Sequence, residues 1–193
     1  MKIAIYGRQF NDTALPYIQQ VFDNLAQHEV DIYVHHHLYD FLHDRVSNVS
    51  YHKLEAGAVL KDTVDIFLTI GGDGTLLDTV TMIRDTGIPV IGINFGRLGF
   101  LASVNKNDIA AAIYAVVNKQ FTLDSRELLR IDSDDHVFGA DNFALNDITI
   151  HKRDDSAMIT THDYLKGEIL NSYWGDGIIL STSTGSTAYS LSY

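Results

Sequence analysis

"VDIFLTIGGDGTLLD", residues 64–78, carries the strongest indication of the fold. Residues 64–70 form an almost unbroken apolar run, which is typical of a strand buried on both faces of a parallel sheet. Two glycines end this run, and a helical pattern follows with Leu76, Val80 and Ile83 on one face. The stretch therefore predicts a buried strand, a tight turn and a core-packed helix in direct succession.

The flanking sequence repeats this alternation. "PVIGINFG", residues 89–96, is a second buried run, and a strand, a helix and a strand in this order predict a right-handed crossover. Upstream, "KIAIYG" and "VDIYVHH" are predicted strands separated by an amphipathic helix, and "NDIAAAIYAVVNKQ" is the last predicted helix. Residues 1–125 are therefore expected to form an α/β domain with a parallel sheet.

Residues 126–193 have a different character. Four segments from "FTLDSRELLRIDS" onward read mostly as strands, and Gly and Asp/Asn turns break them. "LKGE" is predicted to be a hairpin turn, and a run of hydroxyl residues leads into a helix start at Thr187. The second half is therefore expected to be a mostly antiparallel β domain.

The composition of the chain limits the classes of binding partner and the cellular location that are expected. The chain has 14 Lys and Arg against 25 Asp and Glu, a formal charge of −11, which argues against nucleic acid or an anionic membrane as the main partner. It does not exclude a nucleotide. The chain has no cysteine, its first residues lack the apolar stretch of a signal peptide, and no run approaches a membrane span. A cytoplasmic location is therefore expected.

The glycine loop after the first buried strand is the first candidate site. Open α/β sheets bind ligands at the carboxyl ends of their strands, where backbone amides can hold phosphate. The loop has neither the lysine of a P-loop nor the G-x-G-x-x-G pattern, and it carries a carboxylate, Asp73, instead. Asp73 is either a helix cap or a group beside the phosphates that takes a proton from an acceptor hydroxyl or holds a metal ion.

Three further stretches are candidates. "NFGRLGF", residues 94–100, has two glycines and Phe100, which fits either a structural turn or an apolar wall. Asn146 and Asp147 interrupt a β-rich run, as a bulge or as a polar pair for ribose hydroxyls. "GDGIILSTSTGSTAYSLS", residues 175–192, has six hydroxyl residues between positions 181 and 187, more than simple capping explains. Three adjacent histidines, His35 to His37, are not expected to bind metal, because neighbours on a strand point to alternating faces.

In this order, "GGDGT", "NFGRLGF", "LND" and "DGIILSTSTGSTAYSLS" closely resemble the NAD kinase family, which phosphorylates the 2′-hydroxyl of the adenosine ribose of NAD. The resemblance implies a Rossmann-like α/β domain and a β-sandwich-like domain, with the site between them. It implies ATP or inorganic polyphosphate as phosphoryl donor, Mg²⁺, and a homodimer or homotetramer.

The resemblance also assigns roles to individual residues. Asp73 would be the base that activates the 2′-hydroxyl, and no metal ligand is assignable. The phosphate-donor loop would comprise Gly71, Gly72, Gly74 and Thr75. The residues implied for NAD binding are Asp73, Gly74, Phe100, Asn146, Asp147, Asp176, Thr184, Thr187, Ala188, Tyr189 and Ser192.

The chain departs from the family pattern in several places. Asp147 stands where the family usually has Glu, Ser183 where many members have Pro, and Trp174 where many bacterial members have Arg. The sequence stops at Tyr193, where relatives continue, so it is expected to be truncated. Two alternatives stay open: a lipid or sugar kinase that shares the GGDG loop, and a nucleotide-binding module without catalysis.

Overall fold

The computed structural model describes residues 1–8, 10–96, 99–153 and 157–192. The chain forms two compact units, Met1–Leu123 and Asp124–Tyr193. The first unit contains a parallel sheet with helices, and the second contains small antiparallel sheets. The predicted fold class, an α/β domain followed by mostly antiparallel β structure, is confirmed.

The first unit is built on a six-stranded sheet in which every neighbouring pair is parallel. The strands are β1 (Lys2–Gly7), β2 (Asp31–His35), β3 (His52–Leu54), β4 (Ile66–Ile70), β5 (Val90–Asn94) and β6 (Val104–Asn105). The helices are α1 (Leu15–Ala26), α2 (His36–Leu42), α3 (Asp73–Ile83) and α4 (Ile109–Val117). The strand order is β3-β2-β1-β4-β5-β6, so the order reverses between β1 and β4. Doubly wound sheets bind their ligands at such a switch point.

Apolar side chains cover both faces of this sheet. Along β1, Ile3 and Ile5 belong to one buried cluster, while Ala4 and Tyr6 belong to the other. The first cluster includes the buried faces of α1, α2 and α4, and Met82 and Ile83 of α3 pack against the second. Burial on both faces explains why the central strands are continuous apolar runs.

The described residues of the second unit form three two-stranded antiparallel sheets. Its strands are β7 (Leu129–Arg130), β8 (Phe143–Ala144), β9 (Asp147–His151), β10 (Ile159–Leu165), β11 (Glu168–Gly175) and β12 (Gly177–Ser181). They pair as β7–β8, β9–β12 and β10–β11. The predicted hairpin turn is confirmed, because Lys166 and Gly167 join β10 to β11 with φ angles of 52° and 89°.

Three local predictions are wrong. Only Leu129–Arg130 of residues 121–133 forms a strand, because among the described residues only these two pair with another strand, β8, and residues 121–128 are exposed. No helix starts at Thr187; two short 3-10 turns, Gly185–Thr187 and Tyr189–Ser192, are separated by the non-helical backbone of Ala188. The three histidines do not share a strand, because β2 ends at His35 and α2 begins at the next residue.

Within the described residues, the helices are all too short or too polar to cross a membrane.

Candidate functional site

The loop that follows β4 depends on Gly71. Its N–H donates to the carbonyl of Ile93 at 2.9 Å and so extends the β4–β5 ladder by one residue. Its φ angle is +146°, and a Cβ atom at this position would overlap the side chain of Thr75. Both the backbone conformation and the packing therefore require glycine at the end of the strand.

The next residues start helix α3. The carbonyl of Gly72 accepts from the N–H groups of Thr75 and Leu76 at 3.0 and 3.2 Å, and Asp73 is the first helical residue. The space around Gly74 is open: apart from its chain neighbours and the backbone of α3 itself, no atom lies within 4 Å of where a Cβ would lie. A helix N-terminus with exposed, side-chain-free backbone can receive phosphate oxygens.

Three backbone N–H groups hold the carboxylate of Asp73. Phe100 donates to Oδ2 at 2.8 Å, and Leu101 and Ala102 donate to Oδ1 at 3.0 and 2.9 Å. Burial would raise the pKa of Asp73, but these three hydrogen bonds outweigh it and lower the pKa below its ordinary value of 3.8. Asp73 is therefore ionised at neutral pH.

The remaining acceptor capacity of Asp73 lies on one atom. An ionised carboxylate has about four lone-pair sites, two on each oxygen. Oδ1 already accepts two hydrogen bonds and Oδ2 accepts one, counting donors in the described part of the chain. Oδ2 is therefore the oxygen that can accept a hydrogen bond from a ligand hydroxyl.

The segment that donates to Asp73 belongs to the predicted loop "NFGRLGF". A Cβ atom on Gly99 would overlap the Asp73 carboxylate, and one on Gly92 would lie 2.8 Å from Ala102. Phe100 is 60% exposed, as an apolar wall for a ligand would require. Arg97 and Leu98 lie outside the described residues. The structure thus brings Asp73, Gly74 and Phe100 together, and sequence reasoning gave no sign of the hydrogen bonds that join them.

In the second unit, the side chains of Asn146 and Asp147 are half-buried and make no hydrogen bond to another described residue. Asp147 opens β9 opposite Ser181 of β12. Asn146 precedes the strand as a bend, and its carbonyl accepts from the Thr182 N–H at 2.9 Å. The backbone is therefore fixed while both polar side chains stay available to a ligand.

The hydroxyl-rich run folds back on this pair. Thr182 Oγ1 donates to the Leu145 carbonyl at 2.6 Å and accepts from the Gly185 N–H at 3.1 Å. A Cβ atom at Gly185 would overlap the Asn146 carbonyl, so glycine permits the close approach. Thr182 is not one of the predicted site residues, yet the hydrogen bonds of its hydroxyl stabilise the turn on which several of them lie.

The other predicted residues lie on either side of this turn. Thr184 is buried and accepts from Arg126 Nη1 at 3.3 Å. The remaining four predicted residues of the run are exposed; these are Thr187, Ala188, Tyr189 and Ser192.

Asp176 is at the other end of the β9–β12 pair. It directly precedes β12, and Ser181 at the far end of β12 pairs with Asp147. Asp176 and Ser181 are five residues apart, a distance of about 17 Å at roughly 3.4 Å per residue. Its carboxylate forms an ion pair with Lys152 Nζ at 2.8 Å, and the hydrogen bond to Lys152 lowers the pKa of Asp176. Asp147 and Asp176 therefore lie at opposite ends of this strand pair.

The described residues include no group of three or more His, Cys, Asp or Glu side chains that could hold a metal ion. His35, His36 and His37 pack with ring centroids 4.0–5.5 Å apart, and burial together with its two neighbours lowers the pKa of His35 to about 4.

Comparison with known proteins gives the same family for both units. Residues 3–121 match the ATP-NAD kinase N-terminal domain, and residues 145–193 match the ATP-NAD kinase C-terminal domain. NAD kinase of Cytophaga hutchinsonii is 40% identical over 193 residues, and NAD kinase of Flavobacterium johnsoniae is 38% identical over 195. Each alignment covers 100% of this chain and 66% of the relative, so the chain spans about two thirds of their length.

The fold also resembles a solved structure. The crystal structure of yeast NADH kinase complexed with NADH superposes with a TM-score of 0.78 at 24% identity. The likeness covers 100% of this chain and 60% of that one. At this identity it shows a shared fold.

Proposed function

Because this chain belongs to the ATP-NAD kinase family, we propose that it transfers the γ-phosphoryl group of ATP to the 2′-hydroxyl of the adenosine ribose of NAD. The products are NADP and ADP. The observation that carries the proposal is Asp73, an ionised carboxylate beside a helix N-terminus with one oxygen able to accept from a hydroxyl.

In the proposed reaction, the 2′-hydroxyl donates a hydrogen bond to Asp73 Oδ2. The hydroxyl oxygen forms a bond to the γ-phosphorus, the bond from that phosphorus to the ADP oxygen breaks, and the hydroxyl proton passes to Oδ2. A carboxylate with a lowered pKa is a weak base, but phosphoryl transfer has a loose transition state in which positioning matters more than basicity. The three backbone N–H groups supply that positioning.

The donor phosphates are proposed to lie against Gly71, Gly72, Gly74 and Thr75. The support is the open backbone around Gly74 at the start of α3. ATP would bring Mg²⁺ as its complex, which fits a chain whose described residues form no dedicated metal cluster. Inorganic polyphosphate presents the same phosphate chemistry and is an alternative donor.

NAD is proposed to lie along the β9–β12 pair of the second unit. Asn146 and Asp147 at one end would bind the ribose and adenine side, and Asp176 at the other end would bind the nicotinamide side. The separation of these ends suits an extended dinucleotide better than a single nucleoside. The exposed residues of the hydroxyl-rich run would line the adenine pocket with Thr184; these are Thr187, Ala188, Tyr189 and Ser192.

A cytoplasmic homodimer or homotetramer is proposed as the assembled form. The support is a large exposed apolar surface on the β10–β11 hairpin, where Tyr164, Leu165, Ile169, Leu170 and Trp174 are each more than 60% exposed. Sedimentation equilibrium of the purified chain tests this, and a monomer at all concentrations would contradict it.

Product analysis tests the reaction. The chain is incubated with NAD, ATP and Mg²⁺, and the product is identified by mass and by its reduction with an NADP-specific dehydrogenase. NAD lacking the 2′-hydroxyl should give no product, because the acceptor oxygen is missing. A chain that binds NAD without forming NADP would be a non-catalytic module. Phosphorylation of a lipid or a free sugar in place of NAD would favour another GGDG-loop kinase.

A further inference from the structure

We propose that Arg8 binds the phosphate groups of the phosphoryl donor and that Asp78 positions its guanidinium group for this task. The inference rests on the proposed function, since it names a further donor-binding residue of the same site. Neither residue belongs to the glycine loop or to the set that the family resemblance assigns.

Arg8 lies at the switch point of the sheet. It follows Gly7, the last residue of β1, and Gly7 pairs with Ile70 at the end of β4. The chain therefore leaves β1 at Arg8 beside the place where it leaves β4 at Gly71. Ligands of doubly wound sheets bind in the crevice between these two strand ends. Arg8 therefore places a positive charge at this crevice, directly after the end of β1.

The guanidinium group is held in one orientation. Its Nε donates to Asp78 Oδ2 at 2.7 Å and its Nη2 donates to Oδ1 at 2.8 Å, a bidentate pair. The Tyr6 hydroxyl donates to the same Oδ2 at 3.0 Å. Asp78 itself lies on α3, five residues after Asp73, so the helix that begins at the glycine loop also fixes Arg8.

This arrangement leaves donors for a ligand. Arg8 has five N–H groups, and its contacts with Asp78 use two of them. Its side chain is 62% exposed, although it is paired, so phosphate oxygens can reach the remaining donors. The pKa of Asp78 is lowered mainly by its hydrogen bond with Arg8, so the carboxylate stays ionised and keeps the guanidinium in place.

The negative net charge of the chain explains why a cation such as Arg8 is needed to bind the donor phosphates. The glycine loop lacks the lysine with which a P-loop neutralises phosphate, and the chain carries a formal charge of −11. A triphosphate approaching this surface needs a local cation. A planar guanidinium that is fixed in advance binds phosphate oxygens with little loss of side-chain entropy.

The competing explanation is purely structural, because the ion pair also ties α3 to the end of β1. The two explanations differ in what a variant loses. A structural tie would affect NAD and ATP binding alike through stability. A phosphate-binding residue would affect ligands that carry a polyphosphate and leave NAD affinity nearly unchanged.

Equilibrium binding tests the proposal without requiring turnover. Calorimetry on the full chain with Mg·ATP, inorganic tripolyphosphate and NAD would compare wild type with Arg8→Gln, Arg8→Lys and a control, Arg84→Gln. Arg84 follows α3 at the end opposite the glycine loop, so the control makes the same change of charge away from the crevice. Unfolding free energies would be measured on the same samples.

We expect Arg8→Gln to weaken the binding of both ATP and tripolyphosphate by about tenfold or more, because a charge-assisted hydrogen-bonded pair is lost. Arg8→Lys should recover part of this loss, and NAD affinity should stay within about twofold in all variants. Arg84→Gln should bind like wild type. If the wild type also turns over, the KM for ATP should rise in Arg8→Gln while the KM for NAD does not.

Equal ATP affinity in Arg8→Gln and Arg84→Gln would overturn the inference, as would parallel losses of ATP and NAD affinity. A wild-type chain that binds NAD but not ATP or tripolyphosphate would also overturn it. Failure of the proposed function looks different: ATP would bind in an Arg8-dependent way while no NADP forms, and the inference on Arg8 would then stand alone.

Discussion

Gly99 lies against the carboxylate of Asp73, so close that a Cβ atom on Gly99 would overlap it. The next three residues donate their backbone N–H groups to the same carboxylate. The loop after β5 is thus built around an ionised Asp73, and the position of the carboxylate depends on the absence of a side chain at Gly99.

Replacing Gly99 by Ala should therefore displace the Asp73 carboxylate. Misplacement of a reacting group by about 1 Å can cost roughly a hundredfold in rate, so we expect kcat for NADP formation to fall by about 10- to 100-fold. The measurement is steady-state kinetics with saturating NAD and ATP. In a chain that already carries Asp73→Asn, Gly99→Ala should cause little further loss. A kcat within about twofold of wild type would show that the close contact between Gly99 and Asp73 is not required for catalysis.

The lowered pKa of Asp73 predicts a pH-dependent contribution to stability. A carboxylate whose folded-state pKa is below the unfolded value of 3.8 stabilises the fold above that value, and the contribution is lost as pH falls through the folded pKa. The free energy of unfolding of wild type should therefore exceed that of Asp73→Asn at pH 7, and the difference should shrink below about pH 4. Urea unfolding at pH 7, 5 and 3 measures this. A constant difference across these pH values would contradict the assignment.

Gly71→Ala should destabilise the first unit. The substitution forces a side chain into a φ of +146° and into Thr75, and such strain costs on the order of 1–3 kcal/mol. Chemical denaturation compares it with Gly74→Ala, where the added Cβ meets no atom within 4 Å and Ala favours the helix. Gly74→Ala should be neutral or stabilising. Equal stability of the two variants would mean that the loop relaxes freely.

Sequence patterns predicted four of the six strands of the first unit, β1, β2, β4 and β5, because their signals are local. The runs at residues 64–70 and 89–96 are apolar on both faces, and only a strand covered on both sides explains them. The glycine loop was placed correctly for the same reason, since the end of β4 and the start of α3 follow from adjacent residues.

Contacts between residues that are far apart in the sequence leave no such local signal in the sequence itself. The donors to Asp73 are backbone N–H groups 27 to 29 residues away, and backbone groups are the same for every residue type except proline. Arg8 and Asp78 are 70 residues apart. In the second unit, the length of a strand depends on its partner. Residues 121–133 are predicted mostly as strand, but among the described residues only Leu129 and Arg130 of this segment pair with another strand, β8.

Thr182→Val should destabilise the second unit. The substitution keeps the shape of the side chain but removes a hydroxyl that donates to Leu145 and accepts from Gly185, leaving both backbone groups without their partner. The expected loss is about 1–3 kcal/mol. Thr182→Ser retains the hydroxyl and is the matched control, with a smaller loss. Denaturation followed by the fluorescence of Trp174, which lies in this unit, reports the change. Equal losses in both variants would assign the effect to packing.

The role proposed for Asp73 is tested by NADP formation in wild type and Asp73→Asn, with NAD and ATP affinities determined on the same samples. Because Asp73 also orders the loop that contains Phe100, the affinities separate a catalytic loss from a collapsed site. We expect wild type to form NADP, and we expect Asp73→Asn to have a kcat lower by about 100-fold or more while its affinities for NAD and ATP stay within several-fold of wild type. NADP formation that survives in Asp73→Asn within about threefold of wild type would contradict it.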